Sequence, residues 1–393
     1  MDKAVCGAVC GKRTARASLF PLPGKAKIAT QSLHKPTQQL WLLPDATRGS
    51  SVTASQRPRT FDLKGVIKVV GGIIVTALFV YVLYGAVDVD KVKHAISGIQ
   101  IGWLVGALGF LTAAYVLKIA RWFVMLRGLS SDISYRLCVA PFMISIALNN
   151  VLPMRAGDVV RVVAFRSRLG ASGMALLGTM IVERVLDLVV LLAVFGLAVR
   201  FLPDGLVPPA IQSGFSILMM VIPTAAVAVL LLPGPLRLLL SKIGTSVPAL
   251  SGLVGKIDET LAAMAILCRP ARLASLLGLS LGAWACEGGV FVLTAVALGW
   301  TGGLASSFFA LAVGTLSTLL PSSPGYVGTF HYFTTEALTV FGADRNLAAA
   351  FAIVVHLVLV GTTAIVGLAF LLVNSLGGAS PTVAALPETS NHN

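Results

Sequence analysis

Charged side chains interrupt stretches of this sequence that are otherwise apolar. Glu183, Arg184 and Asp187 lie in the apolar run 174–202, and Glu287 lies in a later run. Charges inside a membrane-spanning helix are costly, so they are functional candidates by default. Glu183 and Asp187 are four residues apart and share one helix face, where a cation between them would be favourable. The predicted charge network consists of Asp158, Glu183, Arg184, Asp187 and Glu287.

This network has two interpretations. It could orient a bound polar group, or it could be a purely structural set of ion pairs that locks neighbouring segments. Glu287 has no charged neighbour in sequence, so it either is neutral and carries a proton or pairs with an arginine of the first hairpin. His331 and His356 lie among apolar residues, where a histidine more often hydrogen-bonds between helices than relays protons.

Signatures of catalysis and of cofactor binding are few. No His-Glu-x-x-His zinc motif and no Gly-x-x-x-x-Gly-Lys-Ser/Thr phosphate loop occurs. Cys6 and Cys10 lack a second ligand pair, so neither a metal nor a cofactor is predicted. We predict that the chain is not an enzyme.

The composition determines the class of protein that must position these charges. Of the 393 residues, 56% are hydrophobic and only 12% are charged, with a mean hydropathy of +0.89. Soluble proteins carry about 25% charged residues. A soluble enzyme and a disordered protein are therefore excluded. The sequence predicts an all-α, polytopic integral membrane protein.

The apolar runs after residue 64 divide into long and short ones. A full span needs about 20 apolar residues. The runs long enough for six spans are 65–86, 101–120, 174–202, 210–233, 271–299 and 346–375. The runs 136–153, 303–320 and 326–342 are shorter or interrupted. We predict that they form two re-entrant or broken-helix hairpins, with 136–153 entering and leaving on the cytoplasmic side.

Basic residues predict the orientation and the domain boundaries. Residues 1–64 hold 11 Lys/Arg and 3 Asp/Glu, which places a basic N-terminal tail in the cytoplasm. This tail is predicted to be disordered; an over-long start, a targeting segment or an arm on anionic lipid are the alternatives. A transmembrane domain follows at 65–376, and a short tail at 377–393. Loop topology explains the net charge of +14 without a nucleic-acid partner.

The two short-run regions contain a similar sequence. Both read polar-polar-apolar-Leu-Pro with a Gly four residues later, at Pro153 and Gly157 and again at Pro321 and Gly325. Pro and Gly break helices, and paired broken segments in two halves are typical of a transporter site between inverted repeats. Chance similarity of two loops is the alternative. The predicted breaks and gating positions are Pro153, Gly157, Pro321, Pro324, Gly325 and Gly328.

Three motifs together resemble those of a known family. They are Asn149-Asn150-x-Leu152-Pro153-x-Arg155-x-Gly157-Asp158-x-x-Arg161, Glu183-Arg184-x-x-Asp187 and Pro321-x-x-Pro324-Gly325-x-x-Gly328. In this order, and with Arg121-Trp122, they resemble the lysylphosphatidylglycerol synthase transmembrane (flippase-like) family over residues 65 to about 375. That family often has Glu where this chain has Asp158. The resemblance implies about eight membrane elements around a lipid-sized cavity. The aminoacyl transferase domain of bifunctional members is expected to be absent.

The expected function is that of a lipid transporter in a bacterial inner membrane. Guanidinium groups bind phosphate through paired hydrogen bonds. The expected ligands of an anionic lipid headgroup are Asn149, Asn150, Arg155 and Arg161. One alternative is a non-transporting accessory that presents lipid to a lipid-modifying or glycosyl-transfer enzyme. The other is an ion-coupled small-solute transporter that uses Glu183 or Glu287.

Overall fold

A computed structural model describes residues 63–130, 132–152, 156–166, 168–203, 209–246, 250–320 and 322–376. Both predicted tails lie outside these ranges, apart from the last two residues of the first. Within the described residues every regular element is a helix, which confirms the all-α class. The helices are α1 (Leu63–Ala86), α2 (Val89–Ser97), α3 (Ile101–Arg127), α4 (Tyr135–Val151), α5 (Ala156–Phe165), α6 (Gly173–Val199), α7 (Pro209–Leu231), α8 (Pro233–Ser246), α9 (Ser251–Leu267), α10 (Pro270–Ala297), α11 (Gly303–Ser317), α12 (Thr329–Thr339), α13 (Arg345–His356) and α14 (Thr362–Leu376).

Among the described residues, three helical segments are long and apolar enough to cross a membrane, namely α3, α10 and Arg345–Asn374. The last of these joins α13 to α14 through a π-helical turn at Leu357–Gly361. Two further candidates are bent pairs, α1 with α2 at 85° and α7 with α8 at 62°. The 27 residues of α6 match another predicted span, but its three charged residues interrupt the apolar surface. The polytopic class is confirmed, and the number of spans stays a prediction.

Two helix–break–helix hairpins occupy the regions of the short apolar runs. Helices α4 and α5 pack together across the first break, and α11 and α12 pack together across the second. At 17 and 15 residues, α4 and α11 are each shorter than a full span. The turn of the first hairpin lies later than expected, because α4 continues unbroken to Val151 and α5 provides the return arm.

The second break contains backbone conformations that favour glycine. Gly325 and Gly328 have φ angles of 71° and 86°, and Tyr326 between them has a φ of 59°. Left-handed backbone is costly for residues with a Cβ, so glycine at these two positions allows the chain to reverse between α11 and α12. Pro324 begins the 3₁₀ turn Pro324–Tyr326. Pro153 and Pro321 lie outside the described residues.

Helices α3 and α10 form the central pair and run antiparallel. Gly106, near the start of α3, lies against Leu293 near the end of α10. Leu117, later in α3, lies against Gly282, earlier in α10. Because glycine has no side chain, the two backbones can approach closely at these positions, as is common for membrane helices.

The packing around this central pair is similar in the two halves of the domain, of which the first contains α3 to α6 and the second contains α10 to α14. In the first half, α4 packs on α5 and α5 on α6; in the second, α11 packs on α12 and α12 on α13. Across the halves, α4 packs on α14 while α11 packs on α6. Because the central helices are antiparallel, exchanging the halves relates one to the other in the opposite direction. This packing pattern is the one that an inverted repeat predicts, and the repeat itself stays a prediction.

Candidate functional site

The first hairpin is held together around the carboxylate of Asp158. The side chains of Ser145 and Asn149 on α4 donate hydrogen bonds of 3.2 and 2.9 Å to its Oδ1. The Asp158 backbone N–H donates in return to the Asn149 side-chain oxygen at 3.1 Å. Gly157 makes this approach possible, since a Cβ there would collide with the Ser145 carbonyl oxygen. The two arms of the hairpin are therefore fixed to each other by polar contacts.

Arg184 is the accessible cation of the network. Its Nη2 donates to Asp158 Oδ2 at 2.8 Å, and it lies 3.6 Å from a Glu183 oxygen and 3.8 Å from an Asp187 oxygen. The side chain is 37% exposed, although protein atoms surround its guanidinium. Arg184 is therefore the most exposed of the described cations in the network, and it stays in contact with three carboxylates.

Arg121 on α3 binds the carboxylate of Asp187 in a two-pronged contact. Its Nη1 and Nη2 donate to the two oxygens at 2.6 and 3.2 Å, and Nη1 also donates to Ser280 at 2.8 Å. Trp284 adds a hydrogen bond of 3.0 Å from its indole N–H to Asp187. A cation was expected between the carboxylates of α6. Arg121 is one such cation, although the predicted network did not contain it. In the sequence, Arg121 stands out only through the Arg121-Trp122 pair, since a basic residue near the end of an apolar run is explained by membrane topology.

Arg161 is as deeply buried as Arg121. Its Nη2 contacts Glu183 at 3.3 Å, and its guanidinium lies 4.9 Å from the Trp122 ring and 5.0 Å from the Phe142 ring. Only 1% of the side chain is exposed. Aromatic faces attract cations, so these two rings compensate part of the cost of burying the charge.

Lys118 and Glu287 form a second ionic pair that joins α3 to α10. The ammonium lies 2.6 Å from the carboxylate, and the side chains are 13% and 8% exposed. The Lys118 ammonium also lies 4.6 Å from the Trp284 ring and 5.3 Å from the Tyr115 ring. Glu287 therefore pairs with a lysine of α3 rather than with an arginine of the hairpin.

Among the described residues, these contacts form one network with equal numbers of formal positive and negative charges. Because a buried charge without a partner is very costly, equal numbers of cations and carboxylates allow the network to exist among apolar helices. The cations are Lys118, Arg121, Arg161 and Arg184, and the carboxylates are Asp158, Glu183, Asp187 and Glu287.

The two helix breaks meet beside this network. The Asn150 side chain at the end of α4 donates to Thr363 at 3.0 Å, and a Cβ on Gly325 would lie 3.4 Å from the Asn150 carbonyl oxygen. His356 lies 2.8 Å from the carbonyl oxygen of Gly325, immediately before the π-helical turn. The end of the first arm and the turn of the second hairpin are thus in contact, with polar groups from both halves of the protein.

A sequence model of the lysylphosphatidylglycerol synthase transmembrane region matches residues 69–367, about three quarters of the chain. The chain belongs to the lysylphosphatidylglycerol synthase transmembrane family. No protein in a search of curated sequences matches it. Membership in this family, together with the apolar helices, shows that the chain is a multi-pass membrane protein.

The four residues predicted to bind a headgroup do not lie together in one place. Asn149 and Arg161 are buried in contact with network carboxylates, and Asn150 lies at the meeting point of the breaks. Arg155 lies outside the described residues. The role of all four in binding a headgroup stays a prediction.

One pattern that is typical of a catalytic serine does occur in this sequence. Gly278 to Gly282 read Gly-x-Ser-x-Gly with Ser280 at the centre. A nucleophile elbow is a sharp strand-to-helix turn that exposes its serine. Ser280 instead lies within α10, is buried, donates to Leu276 and accepts from Arg121. Among the described residues, no group of three or more His, Cys, Asp or Glu side chains is placed to hold a metal ion.

Proposed function

We propose that this chain is a flippase-like lipid transporter that binds an anionic lipid headgroup in a polar site between its broken helices. The observation that carries the proposal is the contact between the two breaks, at Asn150 and Gly325, beside a buried and charge-balanced network. Membrane backbone that is not helical persists only where it is buried in protein or lines a wet cavity. Two such segments placed together are typical of a substrate site between inverted repeats.

Arg184 is the residue that we expect to meet the headgroup first. It is 37% exposed, whereas the side chains of Arg121 and Arg161 are 1% exposed. A phosphate that approaches Arg184 would take the place of Asp158, which is its closest partner at 2.8 Å. The carboxylates therefore limit how tightly the headgroup is held, which favours its release. Arg155, one residue before α5, is the proposed second ligand.

The apolar helix surfaces suit the remainder of the lipid. Large apolar side chains such as Ile101, Val105 and Leu281 are exposed on the described helices. Acyl chains could therefore stay in the bilayer while the headgroup passes the polar breaks. We place the protein in a bacterial inner membrane with its N-terminus in the cytoplasm, and we propose transport rather than an enzymatic reaction.

Flipping of a fluorescent phosphatidylglycerol in proteoliposomes tests this proposal. Dithionite reduces only the label in the outer leaflet. Wild-type protein should accelerate the movement of label from the inner to the outer leaflet, and so increase the fraction of label that dithionite reduces. Arg184→Gln should slow flipping by about tenfold or more, because a charge-assisted hydrogen bond contributes about 1.5–3 kcal/mol. Arg155→Ala and Glu183→Ala are also expected to abolish flipping while the protein stays folded.

Arg345→Gln is the matched control for Arg184→Gln. Arg345 is exposed to a similar extent, at 40%, and also pairs with a carboxylate, that of Glu336. It lies outside the network and should leave the flipping rate unchanged. Equal rates in wild type and Arg184→Gln would contradict the site. Bound lipid without flipping would favour an accessory that presents lipid to an enzyme, and solute uptake driven by an ion gradient would favour a small-solute transporter.

A further inference from the structure

We infer that α14 is a lateral gate, hinged at the π-helical turn Leu357–Gly361, through which lipid from the bilayer reaches the polar meeting point of the two breaks. This inference rests on the proposed function and adds the route of the lipid to it. It depends on three observations: the unequal anchoring of α13 and α14, the π-helical turn between them, and the few contacts that hold α14 on α4.

The two helices that the π-helical turn joins are anchored very differently. Helix α13 packs on α2, α10 and α12, and most of its side chains are buried, including Phe351. Helix α14 packs mainly on α4, and among its described residues only Thr363 and Gly367 are buried. Its large apolar side chains Ile365 and Val373 are 72% and 68% exposed. Helix α13 is therefore fixed in the interior, whereas α14 lies at the periphery and can move without repacking the core.

The turn between these helices is suited to bending. Its backbone is π-helical at Leu357–Gly361, and none of these five residues is buried. Such turns are rare, occur often at functional sites and are among the few features that bend a helix sharply. Before the turn, His356 lies 2.8 Å from the Gly325 carbonyl oxygen of the second break. After it, the Thr363 hydroxyl donates to the Leu359 carbonyl oxygen at 2.7 Å, so a carbonyl of the turn keeps a partner when α14 moves.

Few contacts hold α14 on the neighbouring helices. The Asn150 side chain donates to Thr363 at 3.0 Å, Tyr115 on α3 also shares a hydrogen bond with Thr363, and Gly367 packs against Ala147. Half-buried apolar side chains of α14 provide further contacts. In a bilayer, lipid tails can replace apolar contacts between helices, because no hydrophobic effect drives the helices together. The closed position of α14 therefore depends chiefly on the hydrogen bonds of Thr363.

Movement of α14 away from α4 exposes polar groups of the proposed site. It frees the side chain of Asn150, which is one of the predicted headgroup ligands. Asn150 follows Asn149, which donates to Asp158 at 2.9 Å, and Asp158 is the closest partner of Arg184. The opened seam between α4 and α14 thus gives a headgroup at Arg184 a polar path to Asn150 and the second break. The acyl chains stay in contact with the bilayer through the same opening.

Distances between spin labels test the motion independently of transport. In a background without the five native cysteines, labels are attached at Leu281→Cys on α10 and Val373→Cys near the end of α14, both of which are exposed positions. Pulsed electron paramagnetic resonance then measures the distance in the full chain, held in nanodiscs with and without phosphatidylglycerol. Two distances are expected with phosphatidylglycerol, one for α14 on α4 and one for displaced α14.

The matched control pair is Leu281→Cys/Ile353→Cys. Ile353 is exposed on α13, before the π-helical turn, so its distance from α10 should be single and the same in both lipids. A single Leu281–Val373 distance that is equal in both lipids would overturn the inference.

Deletion of Leu357 tests whether the turn is the hinge. A π-helical turn bonds residues five apart rather than four, so removing one residue lets α13 continue into α14 as a regular α-helix. Leu357 is 70% exposed, so its deletion removes no buried side chain. The variant should fold, show a single Leu281–Val373 distance and lose the flipping of labelled phosphatidylglycerol. Leu357→Ala, which changes the same residue at constant length, should retain flipping and both distances.

The two measurements separate failure of the gate from failure of the proposed function. If the deletion variant does not fold, the label distances in the full-length chain still decide. Flipping by wild type with a fixed α14, or undiminished flipping by a folded deletion variant, would overturn the inference and leave the proposed function intact. If wild type flips no lipid at all, the proposed function fails and the gate with it.

Discussion

At the scale of single residues, Arg121 holds the network together. It contacts Asp187 through two hydrogen bonds, lies 3.9 Å from Glu183, and is buried on all sides. Asp187 also receives the indole N–H of Trp284. The carboxylates of α6 therefore depend on a cation from α3 that reaches them across the interior.

Arg121→Met should destabilise the protein strongly. It preserves much of the side-chain volume but leaves Asp187 without its main partner, and losing one partner of a buried pair costs about 3–5 kcal/mol. Thermal unfolding in detergent measures the effect. Arg237→Met, which removes a partner of Asp258 from a pair exposed by about 40% on each side, should cost no more than about 1 kcal/mol. Equal losses in both variants would show that the buried pair is not critical.

The sequence identified the charged members of α6 and their partners in the first hairpin, Asp158 and Arg161, but not the partners that α3 provides. Glu183, Arg184 and Asp187 stand out because they interrupt an apolar run. Lys118 and Arg121 do not stand out, because charges near the end of an apolar run are explained by membrane topology. Which cation meets which carboxylate depends on how α3, α6 and α10 pack, and no local pattern carries that information.

At the scale of elements, Gly157 sets the distance between the two arms of the first hairpin. The space beside it is filled by the backbone of α4, with the Asn149 nitrogen 2.7 Å from where a Cβ would lie. Backbone atoms cannot move aside as a flexible side chain can. The contacts of Asp158 with Ser145 and Asn149 depend on this close approach.

Gly157→Ala should therefore separate the arms and destabilise the protein by about 3 kcal/mol, the upper part of the usual range for overpacking. Thermal unfolding and the flipping rate should both decline. Gly109→Ala is the control, because Gly109 lies in α3 with no atom within 4 Å of the added Cβ. A Gly157→Ala variant as stable as Gly109→Ala would show that the arms are not held at this point.

The breaks themselves were predictable, but their detailed course was not. Short apolar runs and the repeated Leu-Pro pattern identified both hairpins. The expected turn within 136–153 was wrong, because Pro141 is accommodated inside α4 and the helix continues to Val151. Proline within a membrane helix is tolerated when neighbouring groups satisfy the freed backbone, and those neighbours are known only from the tertiary structure.

At the scale of the whole molecule, the two halves meet where their polar groups converge. Asn150 belongs to α4 of the first half, and Thr363 to α14 of the second. Along the same pair of helices, Gly367 packs directly against Ala147. A headgroup that passes between the breaks requires this contact to open. The Leu-Pro pattern shared by the two short-run regions predicted the repeat. The packing of each hairpin on the opposite half could not be predicted from the sequence.

Linking the halves should therefore stop transport. In a background without the five native cysteines, Asn150→Cys/Thr363→Cys is bridged by a short, reducible bifunctional thiol reagent in proteoliposomes. Flipping should stop on bridging and return on reduction. A control bridge between Arg237→Cys and Asp258→Cys, which joins α8 to α9, should leave flipping unchanged. Undiminished flipping with the halves bridged would mean that lipid does not pass between them.

We expect the order of the charges along the chain to affect how the protein enters the bilayer during synthesis. Lys118, Arg121 and Arg161 are all made before Glu183 and Asp187. When α6 leaves the ribosome with its carboxylates, segments that contain neutralising cations such as Arg121 and Arg161 have already been made. A helix that insertion machinery would reject on its own can thus be retained as a span by segments made before it. Glu287, the last carboxylate of the network to be made, completes the balance only when the second half arrives.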